Sequence, residues 1–192
     1  MSAPSDSMGD NSIPNYMASN RILSMGEKQT DAVDVIQEQW RRERPDLDGA
    51  AMAIIGRLGR LSVVAADRIE SVFAAHGLQR GEFDVLATLR RSGEPYELNP
   101  SGLADTLMMS RAGMTGRLDR LEKAGLVRRI ADAGDRRSIR VALTDRGLHL
   151  IDIVVTEHFE NETRILSALS DRERQELDRI TRRLLTDLEG GA

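Results

Sequence analysis

Cysteine is absent from this 192-residue chain, which excludes disulfides, thiolate metal ligands, thiol redox sensing and a cysteine nucleophile. Aromatic side chains are scarce, with one Trp, two Tyr and three Phe, so a core has to be packed by Leu, Ile, Val, Met and Ala. No apolar run approaches the roughly 18 residues that span a bilayer. The first residues also lack a charged stretch leading into an apolar one, so an intracellular, cytoplasmic protein without membrane contact is expected. The three histidines, His76, His149 and His158, have no metal-ligand spacing to each other or to carboxylates. There is no phosphate-cradling glycine loop and no G-x-S-x-G nucleophile, so neither a catalytic centre, a metal nor a cofactor is expected.

The composition is otherwise that of a folded, charged protein, with 27 Lys+Arg against 31 Asp+Glu. A net charge of −4 argues against nucleic acid only if the charge is evenly spread, and it is not. Residues 97–147 hold 10 basic and 7 acidic side chains, nine of the ten being arginines, whereas residues 148–192 hold 6 and 10. A local arginine-rich surface on an acidic body suits a DNA reader, although an unevenly solvated surface would give the same totals.

Residues 1–28 are rich in Ser, Asn, Met, Gly and Pro without apolar periodicity and read as a disordered tail, with Met8, Met17 and Met25 as alternative starts. An extension helix is expected within 29–48, where Val33, Ile36 and Trp40 form a stripe at i, i+3 and i+7. Pro45-Asp46-Leu47-Asp48 ends it and caps the next helix. Over 49–76 the residues Ile54, Leu58, Leu61, Ala65, Ile69 and Val72 keep helical spacing, and a further helix over about 80–91 carries Phe83, Leu86 and Leu89. Two long helices close the chain. Thr144 caps the first, with Leu148, Ile151, Val155 and Phe159 on one side. Ser170-Asp171-Arg172-Glu173 has capping-box spacing and opens the second, striped by Leu177, Ile180, Leu184 and Leu188. Seams this long at both chain ends (49–76 and 145–190) favour a homodimer over a bundle closed within one chain.

The middle of the chain differs from its flanks. Asn99-Pro100 places a cap before a proline at the first helical position, and the helix runs to Leu107. Ser110 caps a second helix, Arg111 to Ala124, after a turn of about three residues, which is the helix-turn-helix pattern. Strands over 126–130 and 138–143, joined by a polar turn, add a wing. The expected fold is mainly α with a small β-hairpin. Its winged helix-turn-helix covers about 79–143 of a 49–192 domain, flanked by a helical dimerisation region. On the second helix Met114, Leu118 and Leu121 point inward. Ser110 supplies the cap, Ala112, Thr115, Gly116 and Asp119 the groove face and Arg111 and Arg120 its edges, where small residues allow close approach and the hydroxyls and arginines reach bases or phosphates. An ordinary surface helix would carry more Lys and Glu. Arg136 and Arg137 at the hairpin tip suit a minor groove. The acidic helices alone would equally fit a protein-interaction bundle that never meets DNA, but such a bundle has no need of a wing.

Asn99-Pro100-Ser101-Gly102-Leu103-Ala104, Ser110 to Thr115 and Arg120 to Val127 resemble the MarR family of bacterial regulators. Asp135-Arg136-Arg137-Ser138 is similar to that family's D-x-R-S wing motif, and Leu143-Thr144-Asp145-Arg146-Gly147 to its L-T-x-x-G. The resemblance covers about 49–190. It implies a dimer with two winged domains on a palindromic operator, a recognition helix in the major groove, Arg137 in the minor groove, Asp135 orienting the wing, and a response to small ligands.

Two features stand apart from DNA binding: the extension with Trp40, and Asp84 inside the apolar run Phe83-Asp84-Val85-Leu86. A carboxylate there needs a partner, and Arg117, flanking the inward stripe, is a candidate. Gly81 to Leu89, with Arg117, Arg129 and the extension, resembles the PecS-like, urate-responsive branch of that family. The resemblance assigns the ligand site to Trp40, Asp84, Arg117 and Arg129, with Arg128 adjoining the last. Urate is planar and anionic, so paired guanidinium donors and an indole face suit it, and phenolic or other lipophilic anions would suit the same crevice. Trp40 also fits a core anchor, and Asp84 with Arg117 a structural ion pair.

Overall fold

Helix-capping chemistry sets the element boundaries in the computed structural model, which describes residues 30–131 and 139–191. The order is α1 (Ala32–Glu43), α2 (Ala50–Ala75), α3 (Arg80–Arg91), β1 (Glu97–Leu98), α4 (Pro100–Thr106), α5 (Arg111–Lys123), β2 (Val127–Ala131), β3 (Ile139–Leu143), α6 (Asp145–Ile165) and α7 (Asp171–Gly190). The chain divides into two compact units, Met1–Arg57 and Leu58–Ala192, the division falling inside α2.

In the first unit Asp31 caps α1, accepting from the backbone N–H groups of Val33 (2.8 Å) and Asp34 (3.0 Å), while the Asp34 carboxylate returns the bond to the Asp31 N–H. Arg57 bridges both carboxylates, at 2.8 Å to Asp31 and 2.6 Å to Asp34, and its guanidinium draws the Asp31 carboxyl below the usual range. Val33 is the one buried apolar side chain of α1. It packs where a Cβ on Gly56 would stand, 3.5 Å away.

In the second unit Phe73, Phe83, Val85, Leu86, Leu89, Leu103, Met114, Leu118, Leu121, Val141, Ile151 and Val154 form one buried cluster. Phe73 stacks on Phe83 with centroids 4.1 Å apart. The sheet is antiparallel in the order β1-β3-β2, with Leu98 opposite Val141 and Arg129 opposite Val141 on its other side. It is thus one strand wider than the hairpin read from the sequence, because β1 pairs with the distant β3 through only two residues. Thr144 locks α6 to the end of α5. Its hydroxyl accepts from the Gly147 N–H (3.0 Å) and donates to the Gly125 carbonyl (2.7 Å). Among the described residues, no helix is long and apolar enough to cross a membrane.

Candidate nucleic-acid interface

Ser110 opens α5, its Oγ accepting from the Gly113 N–H at 3.2 Å, as Asn99 opens α4 through the Gly102 N–H at 2.6 Å. Between them Met108 holds the turn in a left-handed conformation (φ 49°). α5 is then gripped by one face only. Met114, Leu118 and Leu121 are each buried, whereas Arg111, Ala112, Thr115, Asp119 and Arg120 are exposed and Gly116 is half-buried. The face free of the core therefore opens with a serine cap and an arginine, then runs through alanine, threonine and glycine, and its relief is low enough for a backbone to approach a groove floor.

Two arginines on the flank of α5 reach back to the first turn of α3. Arg120 Nε donates to Glu82 Oε1 at 2.8 Å. Arg117 donates to the Met109 thioether and lies so close over Gly81 that any Cβ there would collide with the guanidinium. Gly81 and Glu82 lie in the Gly81–Leu89 stretch singled out from the sequence, but no role was assigned to either there. Glu82 forms a capping box with Gln79, but glutamine is not a residue that announces a cap, so the pattern passes for ordinary helix.

Asp84, one turn further along α3, is half-buried, and burial pushes its carboxyl up against the pull of Arg80, Arg117, Arg91 and His158. Arg117 thus acts on Asp84 through space. Among the described residues neither a hydrogen bond nor an ion pair joins the two, Arg117 being engaged with Met109. Arg129 is bound by Asp119 (2.5 Å) and by Glu122, whose carboxylate also accepts the Arg129 backbone N–H at 3.0 Å. Its neighbour Arg128 is exposed. The structure therefore gathers Asp84 and Arg117 around the first turn of α3 and sets Arg129 between α5 and β2. Trp40 belongs to the first unit. It is 51% exposed and lines a cavity of about 370 Å³ with Gln37, Arg41, Leu47, Asp48, Gly49 and Met52, so only about half of it is covered. Arg41 reaches that cavity already paired to Glu38, whose carboxyl is pulled down to about 2 by hydrogen bonds from Arg41 and Arg42. The wing-tip positions Asp135, Arg136 and Arg137, and the tail read over 1–28, lie outside the described residues.

Comparison with known proteins places this arrangement. The MarR family model matches residues 76–138, from the end of α2 to the wing. The HTH-type transcriptional regulator PecS of Dickeya dadantii (strain 3937) is 49% identical over 144 residues, covering 75% of this chain and 86% of PecS. The transcriptional repressor MprA of Escherichia coli (strain K12) is 35% identical over 115 residues, covering 60% of this chain and 65% of MprA. Among solved structures, AbsC of Streptomyces coelicolor, described as a MarR family transcriptional regulator, superposes with a TM-score of 0.64 at 26% identity, over 75% of this chain and 97% of AbsC.

Proposed function

Since the chain belongs to the MarR family of transcriptional regulators, we propose that it is a repressor that grips a palindromic DNA operator as a homodimer and lets go when a small aromatic anion such as urate binds. The observation that carries the DNA reading is the two-faced character of α5. Met114, Leu118 and Leu121 fasten the helix to the core, which leaves Arg111, Ala112, Thr115 and Gly116 on the face outside that core and free to enter a major groove. Ser110 and Arg120 flank that face for phosphates, and Arg136 and Arg137, oriented by Asp135, serve a minor groove. The names of the relatives support regulation in general, and that of MprA supports repression.

The anion reading rests on resemblance, which assigns it Trp40, Asp84, Arg117 and Arg129, and on the chemistry around Asp84. A half-buried carboxyl that has no ionic partner among the described residues, next to an arginine that among them is bonded to a thioether alone, is a site where an added anion changes the charge balance most. An anion drawing on Arg117 would pull it from its seat on Gly81 and so disturb the helix that carries it. The ligand shifts the equilibrium only by its preference for the disturbed arrangement.

The test is binding to a duplex selected by the protein from a random library, measured at several salt concentrations with and without urate. Affinity should fall steeply with salt, with a slope set by the number of phosphate contacts. Arg111→Ala and Arg137→Ala should weaken binding, and urate should both raise Tm progressively, with the logarithm of its concentration above Kd, and release the duplex. A salt-independent affinity, or none, would remove the DNA reading, and a Tm indifferent to urate would remove the anion.

A further inference from the structure

We infer that Glu82 is a positioning residue for DNA recognition: its buried carboxylate aims the Arg120 guanidinium outward along α5, so that the nitrogens it leaves free meet the duplex. This rests on the reading that α5 enters the groove. Glu82 is 7% exposed and, with Thr88, one of two buried polar side chains among the described residues. Thr88 is satisfied within its own helix, its hydroxyl donating to the Asp84 carbonyl at 2.7 Å. Glu82 instead divides its two oxygens between two elements. Oε2 accepts the Gln79 N–H at 2.9 Å and closes the start of α3, and Oε1 accepts Arg120 Nε at 2.8 Å from α5.

The choice of nitrogen is informative. Nε is the inner donor of the guanidinium, so the bond to Glu82 fixes the plane of the group and leaves both Nη groups uncommitted. The side chain of Arg120 is half exposed and makes no other hydrogen bond among the described residues. Its Nη1 stands 3.9 Å from where a Cβ on Gly116 would be, so the free end leans toward the Gly116 face of α5, where Ala112 and Thr115 also lie. An arginine locked by a carboxylate on one edge has lost its side-chain freedom before a phosphate or a base arrives, and meets it with a preformed fork. A carboxylate placed beside a DNA-binding helix merely to join two helices would repel phosphates for no return. One that is buried and capped by a guanidinium shows the duplex only the cation. Next to it Gly81 seats Arg117, so the first turn of α3 holds both arginines of this flank and sets how α5 presents itself.

The experiment uses the full chain and a duplex selected by the wild-type protein from a random library, with Kd measured against salt for wild type, Arg111→Ala, Arg120→Ala, Arg120→Lys, Glu82→Gln and Glu82→Gln/Arg120→Ala, and Tm taken for each. Glu82→Gln and Arg120→Ala should each weaken binding by about tenfold and lower the salt slope by about one. The double variant should be no worse than either single one. Arg120→Lys is the decisive conservative change: its ammonium can satisfy Glu82 and keep Tm near wild type, but a compact charge held at the carboxylate has no outward fork to carry donors on to the duplex, so its affinity and slope should match Arg120→Ala. Arg120→Lys that binds DNA like wild type, Glu82→Gln with unchanged affinity and slope, or losses that add in the double variant would each overturn the positioning role while Arg111→Ala still weakens binding. If Arg111→Ala and Arg120→Ala both bind like wild type, the groove reading of α5 falls and this inference with it.

Discussion

Asp84 owes its unusual state to its neighbours in sequence. Phe83, Val85 and Leu86 are buried on the same helix, so the carboxyl between them is drawn partly out of water and its pKa rises despite the arginines nearby. A carboxyl raised in the folded state binds its proton more tightly there than in the unfolded chain. Stability is therefore lost as pH climbs from the ordinary carboxylate value of 3.8 through the raised one. Asp84→Asn removes that loss. The variant should melt higher than wild type near neutral pH and show no advantage at the acid end of the window, as read by thermal melts across pH; a gap that is constant with pH would mean that burial of the charge is not the cause. Met108 is a second residue out of its natural state, left-handed and 94% exposed in the turn between α4 and α5. Its side chain packs on nothing that a substitution could forfeit, while a left-handed L-residue carries roughly 1–2 kcal/mol of strain. Met108→Gly should stabilise by about 0.5–1 kcal/mol once the added freedom of the unfolded glycine is subtracted. Urea denaturation would check this, and a lower midpoint would contradict it.

At the scale of elements, local chemistry was legible and distant chemistry was not. Asn99, Ser110, Thr144 and Ser170 each announce a helix start within three or four residues, and each is found capping the helix it was read to cap, whereas the cap at Asp31 emerges only from the structure. The strand β1 left no such mark, because two residues have no periodicity and its partner lies 43 residues away at Val141. The same blindness applies to ion pairs. Arg120 reads as a groove-edge residue from its place on α5, but nothing local points to Glu82, 38 residues upstream. Arg129 reads as an available cation, and the structure has it bound by Asp119 and Glu122. Gly147 is a case where the reason for a motif glycine emerges only in three dimensions. The first turn of α6 passes so near the Leu126 backbone that a Cβ on Gly147 would overlap the carbonyl oxygen, which is main chain and cannot swing aside. Gly147→Ala would force α6 away from the turn that Thr144 ties to Gly125, and an overpacked site of this kind costs about 1–3 kcal/mol. A Tm equal to wild type would show that the turn yields freely.

Assembly is where a single chain leaves most unexplained. α7 is a 20-residue helix with no buried residue, and its stripe of Ile180, Leu184 and Leu188 runs from 42% to 74% exposed. Isolated amphipathic helices of this length are marginal in water, so such a stripe calls for an apolar partner. In the proposed homodimer a second copy of the chain would supply one with the same stripe and the same need, and a twofold arrangement would bury both at once. Leu184→Glu separates this cause from ordinary instability. Leu184 is 44% exposed and lies outside the buried core cluster, so exchanging it leaves that core intact, and retained helix content separates a loss of assembly from a loss of fold. With 44% of its surface left to bury, each such leucine contributes about 0.7–1.3 kcal/mol, and the twofold axis makes each substitution count twice, so dimer Kd should rise by about one to two orders of magnitude. If the proposed homodimer forms through α7, sedimentation velocity should find the wild type as dimer and the variant as monomer, with helix content retained by circular dichroism. Operator affinity should fall together with the dimer, since each protomer would hold only half of a palindrome. A variant that still sediments as dimer, or a wild type that is monomeric while binding its duplex tightly, would move the assembly surface away from α7.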